Sequence, residues 1–248
     1  MCTVVILRRP SHQWPIIVAA NRDEMLDRPS RPPGRHWPER ADVTAGLDEL
    51  AGGSWFGLND AGVAAMVMNR PGSLGPEPGI RSRGELVLEA LDHADAVAAA
   101  AALRDIDPRS YRSFNLVVCD NRDVYWLRGE GGGHPVEVRD VPSGVSMITA
   151  YDLNDRACPR ISAFLPRFRA AAAPEPDTGE WSAWMALMGE RARAGGAEAG
   201  MTIVTDRGFG TVSSCLLALP AIGRTGEKPV WLFAPGRPGD APYAPVGR

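Results

Sequence analysis

The chain has 248 residues, 44% of them hydrophobic and 23% charged, with a formal net charge of -3. That balance suits a soluble globular protein large enough for a real core, and its slight acidity argues against a nucleic-acid partner. No apolar stretch approaches the roughly 20 residues of a membrane helix, and no basic-then-apolar leader opens the chain, so a cytoplasmic location is expected.

The first stretch carries the densest chemistry. Met1-Cys2 leads into Thr3-Val4-Val5-Ile6-Leu7, a β-branched run that predicts a buried strand. After the polar segment Arg8 to Gln13, a second apolar run, Pro15 to Ala20, ends in Asn21-Arg22-Asp23-Glu24. An antiparallel pair would return that polar cluster to the start of the first strand, beside Cys2. Once Met1 is removed, Cys2 carries a thiol and a free α-amine, and the amine can act as base for its own side chain. Arg22 would then lower the thiol pKa, and Asp23 would orient the amine through a charge-assisted hydrogen bond. The competing reading makes Cys2 a small buried hydrophobe and the charges a solvated turn.

Residues 27–40 are rich in Arg-Pro breakers and read as a loop, placed where a substrate rim or lid would lie. Gly52-Gly53 open a strand and permit close backbone approach. Residues 54–68 read as a hairpin turning at Asn59-Asp60-Ala61-Gly62 and ending in Asn69-Arg70-Pro71. A Gly/Pro loop follows over 72–80. Ser82-Arg83-Gly84-Glu85 has capping-box spacing before a helical stripe at Leu86, Val87, Ala90 and Leu91, continued by an Ala-rich second helix to Leu103. Phe114 to Cys119 and Val124 to Leu127 form a second hairpin, and Val136–Val138 and Val145–Tyr151 two more strands.

Two helices follow, one starting at Pro159 with Ile161, Phe164, Leu165 and Phe168 inward, the next carrying Trp181, Trp184, Met185 and Met188. Both stripes are expected to face a core. Three strands close the chain: Met201–Thr205, Thr211–Leu219 and Val230–Phe233. Helices segregated from antiparallel hairpins give an α+β layered sandwich, taken as one domain over 1–248.

Cys2, Cys119, Cys158 and Cys215 are scattered without a CxxC pair, so neither zinc nor a disulfide framework is expected. Cys119 and Cys215 read as core. His12, His36, His93 and His134 are isolated and read as surface.

With these blocks in place, a resemblance is evident. Asn21-Arg22-Asp23-Glu24 behind a Met-Cys strand resembles the signature of the NRDE, or transport and Golgi organisation 2, family. Gly52-Gly53-Ser54-Trp55-Phe56-Gly57, Asn69-Arg70-Pro71, Ser82-Arg83-Gly84, Phe114-Asn115-Leu116 and Gly210-Thr211-Val212-Ser213-Ser214 look like further blocks of that family in its order. The family is in turn similar to cysteine N-terminal-nucleophile (Ntn) hydrolases, among them choloylglycine and penicillin V hydrolases, which implies a four-layer αββα sandwich. Carried over, Cys2 would be the nucleophile, Arg22 and Asp23 would organise the terminus, and Asn69 would donate to an oxyanion. Asn21, Glu24, Gly53, Ser54, Trp55, Arg70 and Thr149 would line the substrate side.

Two departures accompany this resemblance. Ser146–Asp152 holds no clear match for the hydrolases' second site Asn, and the block Gly210–Ser214 lacks their C-terminal Arg. The resemblance implies hydrolysis of an amide or thioester with no cofactor required. Its alternative is a carrier for heme or acyl-CoA, with Cys158-Pro159 similar to a heme-regulatory pair but equally a helix start. The oligomeric state is left open.

Overall fold

A computed structural model describes residues 1–73, 75, 77–192 and 196–247, with the side chain of residue 197 outside the description. Within the expected loop over 72–80, positions 74 and 76 lie outside the described residues. In chain order the strands begin with β1 (Thr3–Arg8), β2 (Ile16–Met25), β3 (Ser30–Gly34), β4 (Val43–Asp48), β5 (Phe56–Asn59) and β6 (Ala64–Asn69). Helices α1 (Gly84–Leu91) and α2 (Ala96–Arg104) follow, then β7 (Phe114–Cys119), β8 (Val124–Gly129), β9 (Glu137–Asp140) and β10 (Gly144–Ile148). The chain continues through α3 (Pro159–Ala170), α4 (Ser182–Met188), β11 (Phe209–Leu219), β12 (Val230–Ala234) and β13 (Ala244–Pro245). The class is α+β, as expected, with every strand pairing antiparallel.

Two compact units emerge, one formed by Met1–Arg28 and Pro142–Val246, the other by Pro29–Val141. The first holds a six-stranded sheet ordered β10-β1-β2-β11-β12-β13. Its register follows the alternation of the sequence: Val5 faces Ala19 and Met147, and Leu7 faces Ile17. These residues share one sheet face with Leu216 and Ala218, and α3 and α4 pack there through Ile161, Phe164, Phe168, Trp184 and Met188. Phe168 and Trp184 meet edge to face with ring centroids 5.2 Å apart, a geometry that adds about 0.5–1.5 kcal/mol to the burial of their area. The two helical stripes are therefore core, as the spacing predicts.

The second unit holds a seven-stranded sheet in simple chain order from β3 to β9. Helices α1 and α2 cover it through Leu86, Val87, Ala90, Leu91, Ala99 and Leu103. The capping box forms in part: the Glu85 carboxylate accepts from the Ser82 N–H at 3.3 Å, while the Ser82 hydroxyl accepts from the Gly84 N–H at 3.2 Å. Gly57 is required because a Cβ there would lie 2.6 Å from Leu91 Cδ1 and 2.7 Å from the Ala45 methyl.

Three expectations change. The loop expected over 27–40 contains β3, which escapes the strand pattern because Pro32 and Pro33 are tolerated only on a sheet edge, where β3 lies. β4 was not expected, since Ala45 and Gly46 dilute its β-branched signal. Met201–Thr205 is not a strand but makes isolated bridges, Thr202 to Arg191 and Val204 to Gly210.

The close approach expected at Gly53 is made to the start of α1. A Cβ on Gly53 would stand 2.5 Å from the Gly84 carbonyl carbon, and the Ser54 N–H donates to the Gly84 oxygen at 3.0 Å. The obstacle is backbone and cannot rotate away. Gly53→Ala is expected to lower stability by about 1–3 kcal/mol, measured as a drop in the urea midpoint at unchanged slope.

Candidate active site at the chain terminus

β1 and β2 pair from Arg8–Ile16 through Thr3–Asn21, so the terminus of β1 lies beside Arg22 and Asp23. On the far side of β2, β11 pairs Asp23 with Thr211 and Arg22 with Ser213, the register shifting between Thr211 and Ser213. That bulge lets Thr211 face Asp23 while the regular ladder continues through Ser214–Asn21. The polar end of β2 returns to the start of β1 as the sequence predicts, and the polar end of β11 joins them.

Pleating separates the cluster into two faces. Cys2 and Arg22 alternate with Thr3, Asn21 and Asp23, and the latter three continue the face that α3 covers. The Cys2 thiol is half-buried and meets the Asp23 backbone twice: S–H donates to the Asp23 carbonyl at 3.6 Å, and the Asp23 N–H donates to sulfur at 3.4 Å. Burial pushes the thiol pKa up and the Asp23 charge adds to the rise. The terminal amine, the Asp23 N–H and Arg22 pull it down, but burial wins.

Alkylation runs through the thiolate, so its pH dependence follows directly. Iodoacetamide is expected to modify Cys2 more slowly at pH 7 than it modifies an unhindered thiol, with a rate still climbing above the pH where an ordinary cysteine levels off. Intact mass resolves this, since Cys119, Cys158 and Cys215 are buried free thiols and native protein should gain one label. A plateau below the ordinary range would mean that the nearby cations dominate.

Asp23 is the hub of the covered face, its side chain fully buried. The Met1 α-amine lies 3.3 Å from Oδ2, and Arg160 Nη1 donates to the same oxygen at 3.2 Å. Thr211 Oγ1–H donates to Oδ1 at 2.6 Å while accepting from the Ile203 N–H at 2.8 Å. Arg160, in the first turn of α3, also donates to the Met1 carbonyl and to Thr3 Oγ1. It went unrecognised in the sequence. The available signal was its place on the stripe of Phe164 and Phe168, four and eight residues on, where a charge is out of pattern.

Other candidate residues have defined settings. The Asn21 amide donates to the carbonyls of Met188 (3.0 Å) and Met201 (2.9 Å), tying β2 to the end of α4. Glu24 accepts from the Met25 N–H at 2.9 Å and lies 3.8 Å from Arg28. Thr149 is buried, with Oγ1 3.4 Å from Cys158 Sγ and accepting from the Tyr151 N–H. Cys158 and Pro159 occupy the N-cap and first turn of α3, the helix start that one reading of this pair gives.

Gly53, Ser54, Trp55, Asn69 and Arg70 belong to the second unit. The Ser54 hydroxyl donates to the Phe56 carbonyl and accepts from its N–H, while the Trp55 ring covers Gly46. Asn69 ends β6, half-buried, and Arg70 donates to Asn115 Oδ1 at 2.8 Å, an oxygen shared with Trp126 Nε1. Among the described residues no cluster of His, Cys, Asp and Glu is arranged to hold a metal ion, and no helix is long and apolar enough to cross a membrane.

Comparison with known proteins gives this geometry a setting. The chain is similar to the Transport and Golgi organization 2 homolog of Mus musculus, 32% identical over 117 residues, and to the Homo sapiens homolog, 33% identical over 112 residues. Each match spans 42% of this chain and only 38% of the relative's length. Among solved structures, a Caenorhabditis elegans N-acylethanolamine-hydrolyzing acid amidase ortholog superposes with a TM-score of 0.58 at 10% identity, covering 87% of this chain and 92% of that one. Penicillin V acylase from Agrobacterium tumefaciens superposes with a TM-score of 0.57 at 12% identity, covering 94% and 83% respectively. A mutant conjugated bile acid hydrolase from Clostridium perfringens gives 0.54 at 10% identity over 99% and 92%. At these identities the likeness shows the fold, which is of the Ntn-hydrolase type. The family model described as Transport and Golgi organisation 2 matches residues 1–180, and the chain belongs to that family.

Proposed function

We propose that this protein is a cysteine hydrolase of the N-terminal-nucleophile kind, cleaving an amide or thioester in a small molecule through Cys2. One observation carries the reading: Asp23 holds the chain's α-amine with its carboxylate and the Cys2 sulfur with its backbone. The fold shared with an amidase, an acylase and a bile acid hydrolase supports it.

With Met1 removed, the amine is that of Cys2 and takes the proton of the thiol, which burial keeps protonated at neutral pH. Sulfur bonds to the substrate carbonyl carbon, and the π pair moves onto oxygen. That oxygen calls for a hydrogen-bond donor, the role the resemblance gives to Asn69. Collapse breaks the C–N or C–S bond, and the ammonium returns its proton to the leaving group. Water, deprotonated by the same amine, then cleaves the acyl-cysteine. Arg22 acts on the sulfur by charge.

The test is the intact mass of protein made with its native terminus, before and after exposure to activated acyl donors including acyl-CoAs. Loss of Met1 and a single acyl adduct on Cys2 are expected. Retained Met1, no adduct and saturable binding of heme or acyl-CoA would replace this reading with a carrier on the same fold.

A further inference from the structure

The block Gly210–Ser214 carries three hydroxyls, and the fold itself uses only two of them. Thr211 donates to Asp23, while Ser214 donates to the Ala20 carbonyl at 3.1 Å and shares a hydrogen bond with the Tyr243 hydroxyl at 2.7 Å. Ser213 is different. It is only 5% exposed, yet its hydroxyl makes no hydrogen bond among the described residues. A nearly buried polar group left without a partner lowers stability and calls for a reason to be there.

The bulge in β11 points to that reason. Had the register run on unbroken from Thr211–Asp23, Val212 would stand beside Arg22, but the shift sets Ser213 there instead. One residue beyond the Thr3–Asn21 pair, Cys2 takes the other side of Arg22. Cys2, Arg22 and Ser213 therefore form a row across β1, β2 and β11, on the sheet face away from α3. Ser213 stands two strands from Cys2, about 10 Å. Deeper on the same face, the row Ile6, Val18 and Leu217 is 0% exposed, whereas Arg22 keeps 6% and Cys2 is half-buried. Solvent thus reaches this face at the end that carries the thiol, the cation and the unused hydroxyl. Glu24, the carboxylate of β2 on that face, is turned to the Met25 N–H and Arg28.

Resting on the reading of Cys2 as the nucleophile, we infer that Ser213 is a substrate-contact residue that, together with Arg22, receives a carboxylate of the substrate. The substrate class narrows to acidic amides or thioesters. With the scissile carbonyl over the sulfur, a carboxylate about four bonds away reaches the Arg22–Ser213 end of the row, whether it belongs to the acyl group or to the leaving group. Guanidinium and hydroxyl both donate, and hydrogen bonds to an ionised acceptor are about twice as strong as neutral ones.

The test compares second-order rates of Cys2 acylation, followed by intact mass, for two matched pairs of donors. Mono-p-nitrophenyl glutarate against p-nitrophenyl valerate places the carboxylate on the acyl side. S-acetyl-3-mercaptopropionate against S-propyl thioacetate places it on the leaving side. In at least one pair the parent protein is expected to favour the acid by about 30-fold or more, Ser213→Ala to lower that ratio about tenfold, and Ser213→Thr to keep it. A ratio cancels any general loss of packing or reactivity, and the pair that shows it tells which side of the substrate is acidic. Ratios near one in both pairs, or a ratio that Ser213→Ala leaves unmoved, would overturn the proposal. Failure of the hydrolase reading looks different: no member of either pair acylates Cys2, and the proposal falls with it.

Discussion

Cys2→Ala is expected to take up no acyl group under conditions where the parent protein gains one per chain, a loss of at least about 10³-fold in adduct formation. The size follows from the environment. The other thiols are poor substitutes, because Cys119, Cys158 and Cys215 are buried, and burial holds Cys119 and Cys215 well above the ordinary thiol range. Cys2→Ser is expected to be nearly as inactive, since an alkoxide is far harder to form than a thiolate and the base in reach is only an amine. Both substitutions sit at a half-exposed strand end, so thermal unfolding should move little. That separation makes the result readable: lost acylation with retained stability places the chemistry at the sulfur. Full acylation of Cys2→Ala would remove the proposed nucleophile.

What the sequence disclosed and what it hid divide along physical lines. The pairing of β1 with β2 was legible because Val4, Val5 and Ile6 in one run and Ile16, Ile17 and Val18 in the other are strong β-formers, and the antiparallel return brings Asp23 to Cys2. The bulge was not legible. Gly210 to Ser214 shows as a block of small residues, but nothing in it says that the register shifts before Ser213, which turns Thr211 toward Asp23.

Arg160 was hidden for another reason. A helix beginning at Pro159 with Ile161, Phe164, Leu165 and Phe168 inward accounts for itself, and an arginine in its first turn, although in line with Phe164 and Phe168, passes as a helix-end residue. Only the convergence of α3 on the end of β2, a contact across 137 residues of chain, makes that position buried and ionic. Gly53 was half legible: close backbone approach was expected, while its partner, Gly84 at the start of α1, is set by packing.

Asp23→Asn is expected to have the largest effect on stability of any single change at the site. The substitution keeps shape and removes charge, leaving the Arg160 guanidinium fully buried with no anion and two unsatisfied nitrogens. Breaking a buried pair from one side costs about 3–5 kcal/mol, a large share of the roughly 5–15 kcal/mol that holds a domain folded. Thr211 donates to one Asp23 oxygen, so the new amide must present its carbonyl there and its NH2 toward Arg160 and the terminal amine, donor against donor. Urea unfolding should show the midpoint falling with little change in slope. Arg160→Met on top of Asp23→Asn should restore most of the loss, because the stranded charge is gone. A coupling of about 2 kcal/mol or more in that double-mutant cycle is the signature of the pair. Additive losses would mean that Asp23 stabilises the terminus through Thr211 and the amine instead, with Arg160 a bystander to stability.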